Sequence, residues 1–477
     1  MPPLLAAFLT CGFIVFLYRR DNREKPNVTG ALWIPLLWLL FTSSRFPSEW
    51  LDLFGLHFGA ASLEEGSPLD ASVYFALMVA GLYVLHQRRV SLAVIMRDNQ
   101  WLTIFLLYCL ISIVWSDFPA VAFKRWVKVL GHPIMALIVL TEPDPEEALI
   151  RLMKRCAYVI VPVSILFIKY YPQWGRGFET WSGAAVNTGI TTNKNTLGCI
   201  LMIVGFFFVW YLLQVWNAEK GKNRRNELFL TTGFLIMIWW LFSMAHSSTS
   251  LVSLLIGVAM VGLLGLRFIN KRFIGTYLIF GVLALAVGEM TFGLYASAIQ
   301  LLGKDPTLTD RTILWHDLLK IDFNPLFGTG FESFWMGKRL DILWATRWWH
   351  PNEAHNGYLE TYINLGLVGL FLLVVLLIAT FWKGRRELLR NFEFGRFRLG
   401  FLAVAIAYNW TEASFKALSP VWFVFYLIAL DYPRRQFVDE SVQANKSEAG
   451  GELVYAADEI GGSAPDVYSL PHRSSVV

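Results

Sequence analysis

The chain has 477 residues, 55% of them hydrophobic and only 16% charged, with a formal net charge of +5. Soluble domains carry about 25% charged residues, so composition argues against a soluble globular protein, and the small charge excess argues against a nucleic-acid binder. The four cysteines (Cys11, Cys109, Cys156, Cys199) share no short spacing, which leaves no disulfide framework or zinc motif and reads as small buried hydrophobes.

In chain order, apolar runs fit for spans lie near 3–18, 30–44, 71–87, 101–115, 119–141, 156–171, 195–215, 228–245, 250–266, 274–290, 357–381, 398–413 and 418–431. The predicted fold is an all-α integral membrane protein, a polytopic bundle of about 11–13 transmembrane helices with one large outer loop. Met1 to Leu17 has no positive residue before it, and Arg19, Arg20, Arg23 and Lys25 follow it. That order suits a first span with its N-terminus outside, not a cleaved signal. Positive loops at 19–25, 88–97, 151–155, 220–225, 267–272 and 383–398 alternate with loops poor in Lys and Arg. The positive-inside rule then places the C-terminus in the cytosol and the long loop outside. The expected divisions are a transmembrane bundle over 1–290, the large outer loop over 291–356, further transmembrane helices over 357–431, and a disordered cytosolic tail over 432–477.

Charged side chains stand out against this background. Lys124, Arg125 and Lys128 enter the fifth span near its outer end, and cations there need anionic partners. Lys194 opens the seventh span, where snorkelling is the plainer role. In the long loop, Pro306 and then Thr309 or Asp310 mark a helix start, and Leu314, Leu318 and Ile321 form an apolar stripe with Arg311 one turn before it. A guanidinium near a helix N-terminus suits a phosphate; an ion pair with Asp310 or Asp317 is the alternative. Gly328-Thr329-Gly330 permits a tight turn or a close backbone approach. Trp335, Trp344, Trp348 and Trp349 fit interfacial anchors. Last comes the run from His350 to Glu360, with His355, Asn356 and a carboxylate, Glu360, inside an apolar segment and so directed to the protein interior. His355 is either a general base or an interfacial imidazole making ordinary hydrogen bonds.

All these cations fall at the outer end of the spans, as expected for an anionic, lipid-borne substrate handled outside. There is no Walker A motif, and no His-x-x-x-His spacing or carboxylate cluster argues for a metal, so neither cofactor nor metal is expected.

The ordered set Trp115-Ser116 through Arg125, Thr192-Asn193-Lys194-Asn195-Thr196-Leu197-Gly198, Ser247-Ser248-Thr249-Ser250, Leu308 through Trp315, Gly328-Thr329-Gly330, and His355-Asn356-Gly357-Tyr358-Leu359-Glu360 with Gly366 resembles the O-antigen ligase and polysaccharide polymerase superfamily of bacterial inner membranes, especially its exopolysaccharide polymerase-like branch. The resemblance implies a metal-independent glycosyltransferase that works at the periplasmic face on a glycan carried by undecaprenyl pyrophosphate. It makes His355 the residue that activates the acceptor hydroxyl and Arg311 a ligand of the pyrophosphate. Lys124, Arg125, Lys128, Lys194, Asn356 and Glu360 are the substrate-binding candidates beside them. The implied partners are the lipid-linked donor, a glycan or lipid acceptor, the bilayer, a chain-length regulator and export proteins, with no nucleic acid. Three positions depart from the family pattern: Asn193 for a frequent His, Asp310 for a frequent Gly, and Ser247 to Ser250 where many ligases carry an Arg. The missing Arg is a place for Lys124 or Arg125 to fill, and it tilts the expectation toward a polymerase of repeat units. The alternatives are a ligase that moves finished glycan to lipid A core or another acceptor, and a transporter of a small anion or lipid-linked sugar.

Overall fold

Each expected span is a helix in the computed structural model, which describes residues 1–57, 66–179, 183–292 and 311–432. The first half contains α1 (Pro3–Arg23), α2 (Trp33–Ser43), α3 (Pro47–Asp52), α4 (Pro68–Gln87), α5 (Leu92–Asp98), α6 (Gln100–Ile111), α7 (Pro119–Leu140), α8 (Pro145–Tyr170) and α9 (Pro172–Gly175). A hairpin of β1 (Arg176–Phe178) and β2 (Ala185–Asn187) follows, antiparallel with Gly177 opposite Val186. Then come α10 (Lys194–Asn217), α11 (Lys222–Ala245), α12 (Ser248–Gly265), α13 (Ile274–Phe292), α14 (Arg311–Leu318), α15 (Gly337–Thr346), α16 (Gly357–Arg390), α17 (Phe392–Tyr408) and α18 (Pro420–Ala429).

Among the described residues, seven helices are long and apolar enough to cross a membrane, or eight if α5 and α6, bent by 103°, make one broken span. The remaining expected spans are short (α2, α18) or carry several charges (α7, α8, α17). The protein is an all-α polytopic membrane protein. The tail expected over 432–477 and the segment 293–310, with Pro306, Thr309 and Asp310, lie outside the described residues, save Tyr432.

Helix α18 is buried along its whole length, and α8, α10 and α17 are buried along most of theirs. α10 packs on α11 and α12, α12 on α17, and α17 on α16, while α7 gathers α4 and α18. Small residues permit the closest approaches: at Gly198 a Cβ would collide with Ser247 and Ser250. The outward faces of α1 and α13 are apolar and exposed, with Leu4, Phe8, Ile279 and Phe280 among them. In water that would be unstable; against lipid it is the ordinary arrangement.

The two ends of the bundle differ in chemistry. At one end Asp21 is buried and accepts hydrogen bonds from Arg151 and Arg155, each at 2.7 Å, and Lys154 pairs with Glu227 at 2.9 Å. The other end carries the loop before α16. There Leu314, Leu318, Phe334, Leu343, Ala354 and Ile363 form a small core, so the apolar stripe expected on α14 does bury, and it docks the loop onto α16.

α16 is broken at Gly366, whose φ of 65° and ψ of −167° interrupt the helix. The segment from Pro325 to Gly330 fills the break. Leu367 N–H donates to Pro325 O at 2.9 Å, Gly330 N–H to Asn364 O at 2.8 Å, and Thr329 N–H to Ile363 O at 3.2 Å. A Cβ on Gly366 would collide with the Leu326 carbonyl, and one on Gly328 with the Asn364 backbone. The Gly-Thr-Gly motif is therefore a close backbone approach rather than a free turn.

Candidate active site

The break at Gly366 and the small loop core hold the residues just ahead of α16 in place. Asn356 is the N-cap of that helix: its side-chain oxygen accepts from Tyr358 N–H and Leu359 N–H at 3.0 Å each. Glu360 accepts from Trp335 Nε1–H at 2.6 Å, from Asn364 Nδ2–H at 2.9 Å and from Ala354 N–H at 2.9 Å. Its direction into the protein is as expected, but its oxygens are used to tether the loop. Neither residue lines the cavity described below.

His355 sits between these anchors with φ at 48°. Its Nδ1 lies 3.0 Å from Glu353 Oε1 and 3.4 Å from Glu412 Oε2. Glu412 Oε1 in turn accepts from Arg311 Nη2 at 2.8 Å, and Glu353 pairs with Lys416. Arg311 also donates to the Thr411 carbonyl. The result is a chain of alternating charge: Arg311, Glu412, His355, Glu353, Lys416. Burial works against a charged His355, but the carboxylates of Glu353 and Glu412 outweigh it and raise the ring from 6.5 to about 9. Burial likewise disfavours both carboxylates, yet Lys416 and His355 hold Glu353 well below the usual range, and His355 and Arg311 lower Glu412. Among the described residues no partner meets Nε2.

The chain of charges forms one wall of a cavity of about 840 Å³. Phe41, Thr42 and Ser44 of the α2 end, Lys194 to Thr196 at the start of α10, His246 to Thr249 between α11 and α12, and Trp349 complete much of the lining. Lys194 pairs with Glu179 across the hairpin. The cavity is polar at its charged end and apolar along Val252, Ile256 and Trp410.

The structure thus brings His355, Arg311 and Lys194 together and leaves Lys124, Arg125 and Lys128 elsewhere. Arg125 donates to the Glu332 carbonyl, and the Lys128 ammonium lies beside Gly66. These α7 cations do not replace a phosphate-binding Arg in this cavity. Asp317, one partner expected for Arg311, pairs with Arg347 instead. Sequence reasoning missed Glu412, Lys416 and His246. The first two lie in the connector between α17 and α18, whose only signal was two opposite charges between apolar runs. No carboxylate cluster was expected, yet ligand-type atoms of Glu353, His355 and Glu412 lie within 4.8 Å of one another. Arg311 pairs with Glu412 and Lys416 with Glu353, so each of these carboxylates also faces a cation.

Comparison with known proteins bears on the family. The O-antigen ligase family matches residues 232–374, a stretch that includes His246, Arg311, His355 and Gly366. The exopolysaccharide production protein ExoQ of Rhizobium meliloti (strain 1021) is 27% identical over 310 residues, 61% of this chain and 66% of that protein. A Rickettsia felis protein described as a polysaccharide ligase is 27% identical over 194 residues, 38% of this chain and 44% of its own, and a Rickettsia bellii counterpart is 24% identical over 291 residues, 57% and 65%. The chain therefore spans just under two thirds of the length of the first of these relatives and less of the others. With the ordered motifs and the all-helical membrane fold, these matches support a likeness to the O-antigen ligase and polysaccharide polymerase superfamily.

Proposed function

We propose that the chain is an inner-membrane glycosyltransferase that polymerises exopolysaccharide or O-antigen repeat units carried on undecaprenyl pyrophosphate at the periplasmic face, with its N-terminus outside and its C-terminus in the cytosol. The observation that carries the reading is the cavity whose charged end joins an imidazole to a guanidinium through one carboxylate. In the reaction His355 Nε2 takes the proton of the acceptor hydroxyl. The acceptor oxygen bonds to the anomeric carbon as the bond from that carbon to the phosphate oxygen breaks. The electron pair leaves on the pyrophosphate, where Arg311 and Lys194 meet the growing charge. The glycosyl bond energy is already stored in the lipid pyrophosphate, so this scheme calls on no nucleotide and no metal. Glu353 and Glu412 hold Nδ1 and fix the ring, as a carboxylate does in other base-and-orienter pairs.

His355→Ala should block surface glycan and cause lipid-linked intermediates to accumulate in extracted carrier lipids. Single repeats on the carrier identify a polymerase; long lipid-linked chains identify a ligase acting on lipid A core or another acceptor. Normal glycan with no accumulation would sink the enzyme reading, and gradient-driven uptake by vesicles would favour a transporter in its place.

A further inference from the structure

Among the described residues five basic side chains line the cavity, and four of them already face an acid. Arg311 pairs with Glu412, Lys194 with Glu179 and Lys416 with Glu353, while His355 lies against Glu353 and Glu412. The fifth is His246. Its side chain is exposed, and among the described residues no hydrogen bond or ion pair meets the ring.

His246 is also held in an unusual conformation. It ends α11 at φ 51° and ψ 36°, the left-handed region, which disfavours a residue with a Cβ. Among the described residues seven non-glycine positions have positive φ, and three of them, His246, His355 and Leu418, line this cavity. Strained positions that cluster at one cavity suggest side chains held in place for use. The surroundings fix this one from two sides. Asn187 Nδ2–H donates to Met244 O at 3.1 Å, which ties the hairpin to the end of α11. The hydroxyls of Thr249 and Thr411 are 2.9 Å apart, and the Thr411 carbonyl accepts from Arg311. His246 is therefore set in the same frame as the guanidinium.

We propose that His246, which lines the cavity together with Ser248, is a binding residue for the pyrophosphate of the lipid-linked donor, complementing Arg311; this rests on the donor reading above. An anion reaching Arg311 or Lys194 competes with Glu412 or Glu179. At His246 it displaces no carboxylate, so the first favourable contact forms there at least cost.

The test is binding of undecaprenyl pyrophosphate to the full chain in nanodiscs, with His246→Asn and His246→Arg as variants. Asn tolerates a left-handed backbone, so H246N removes the imidazole without forcing the loop to rearrange. The expected result is a loss of about tenfold in affinity for H246N, the worth of one hydrogen bond to a charged group, and recovery in H246R. Inorganic pyrophosphate should compete with the lipid in the wild type and in H246R. Wild-type affinity in H246N overturns the proposal. So does an equal dependence on His246 for phosphatidylglycerol, which would make the residue a contact for any anionic lipid. If the wild type itself does not bind undecaprenyl pyrophosphate, the donor reading fails; if it binds and only Arg311→Ala weakens it, the donor reading stands and the role of His246 falls.

Discussion

His355 is a base whose neighbours hold it in its charged form. With the ring raised to about 9, only a minor fraction is neutral at pH 7, so turnover limited by proton transfer should climb with pH until about 9. Glu412→Gln removes one carboxylate and should move the acid limb of a single-turnover pH profile downward, with the rate above the limb reduced roughly 10–100-fold because the base is weaker and Arg311 loses its partner. Lys416→Met unmasks Glu353 and should move the same limb upward. Limbs that stay in place in both variants would show that His355 is not the titrating group. Stability carries the same sign. The ring binds its proton more readily folded than unfolded, so its contribution is complete below about pH 6.5 and fades as pH rises through about 9. The difference in unfolding temperature between the wild type and His355→Asn should shrink across that window. His355 and Arg311 were legible in the chain as an imidazole and a guanidinium beside apolar segments. Glu412 was not, because it lies 57 residues beyond His355 in a short connector, and charge in a connector is usually just solvated.

At the scale of elements, the seam between Pro325–Gly330 and the broken α16 positions the site. Gly366→Ala would put a Cβ against the Leu326 carbonyl while forcing alanine to φ 65°. A loss of about 2–4 kcal/mol is expected, read as a lower unfolding temperature in detergent together with reduced activity. An unchanged unfolding temperature would mean that the seam is not under this constraint. Hydropathy located the helices because twenty-odd apolar residues in a row have few other uses, and Asn356 was visible as a polar residue just ahead of such a run. Its use as a cap rather than a ligand was not visible. Nor was the use of Glu360: both a substrate contact and a loop tether satisfy the need to keep a carboxylate out of lipid.

The whole molecule separates its charges between two ends. The network around Asp21 binds α1 to α8, with Arg151 and Arg155 both on its carboxylate. Asp21→Ala leaves two buried guanidinium groups short of a partner, and a loss of about 3–5 kcal/mol is expected, measured by thermal unfolding in nanodiscs. Affinity for undecaprenyl pyrophosphate should not change, since Asp21 belongs to the end of the bundle remote from the cavity. A parallel loss of binding would show that the two ends are coupled.

By itself the sequence determined the class of the protein, its helices, the family motifs and three of the side chains that meet at the cavity, His355, Arg311 and Lys194. These are properties of single segments, set by apolar run length, by caps and by charges that stand out locally. The tertiary structure decided which cations share a cavity. It brought Lys194, His246, Arg311, His355 and Lys416 around one space and left Lys124, Arg125 and Lys128 outside it. Cations at one end of a bundle look equivalent along the chain, and only packing decides which of them converge. It also supplied the carboxylates that set the charge of His355, because an ion pair depends on distance in space and not on separation along the chain.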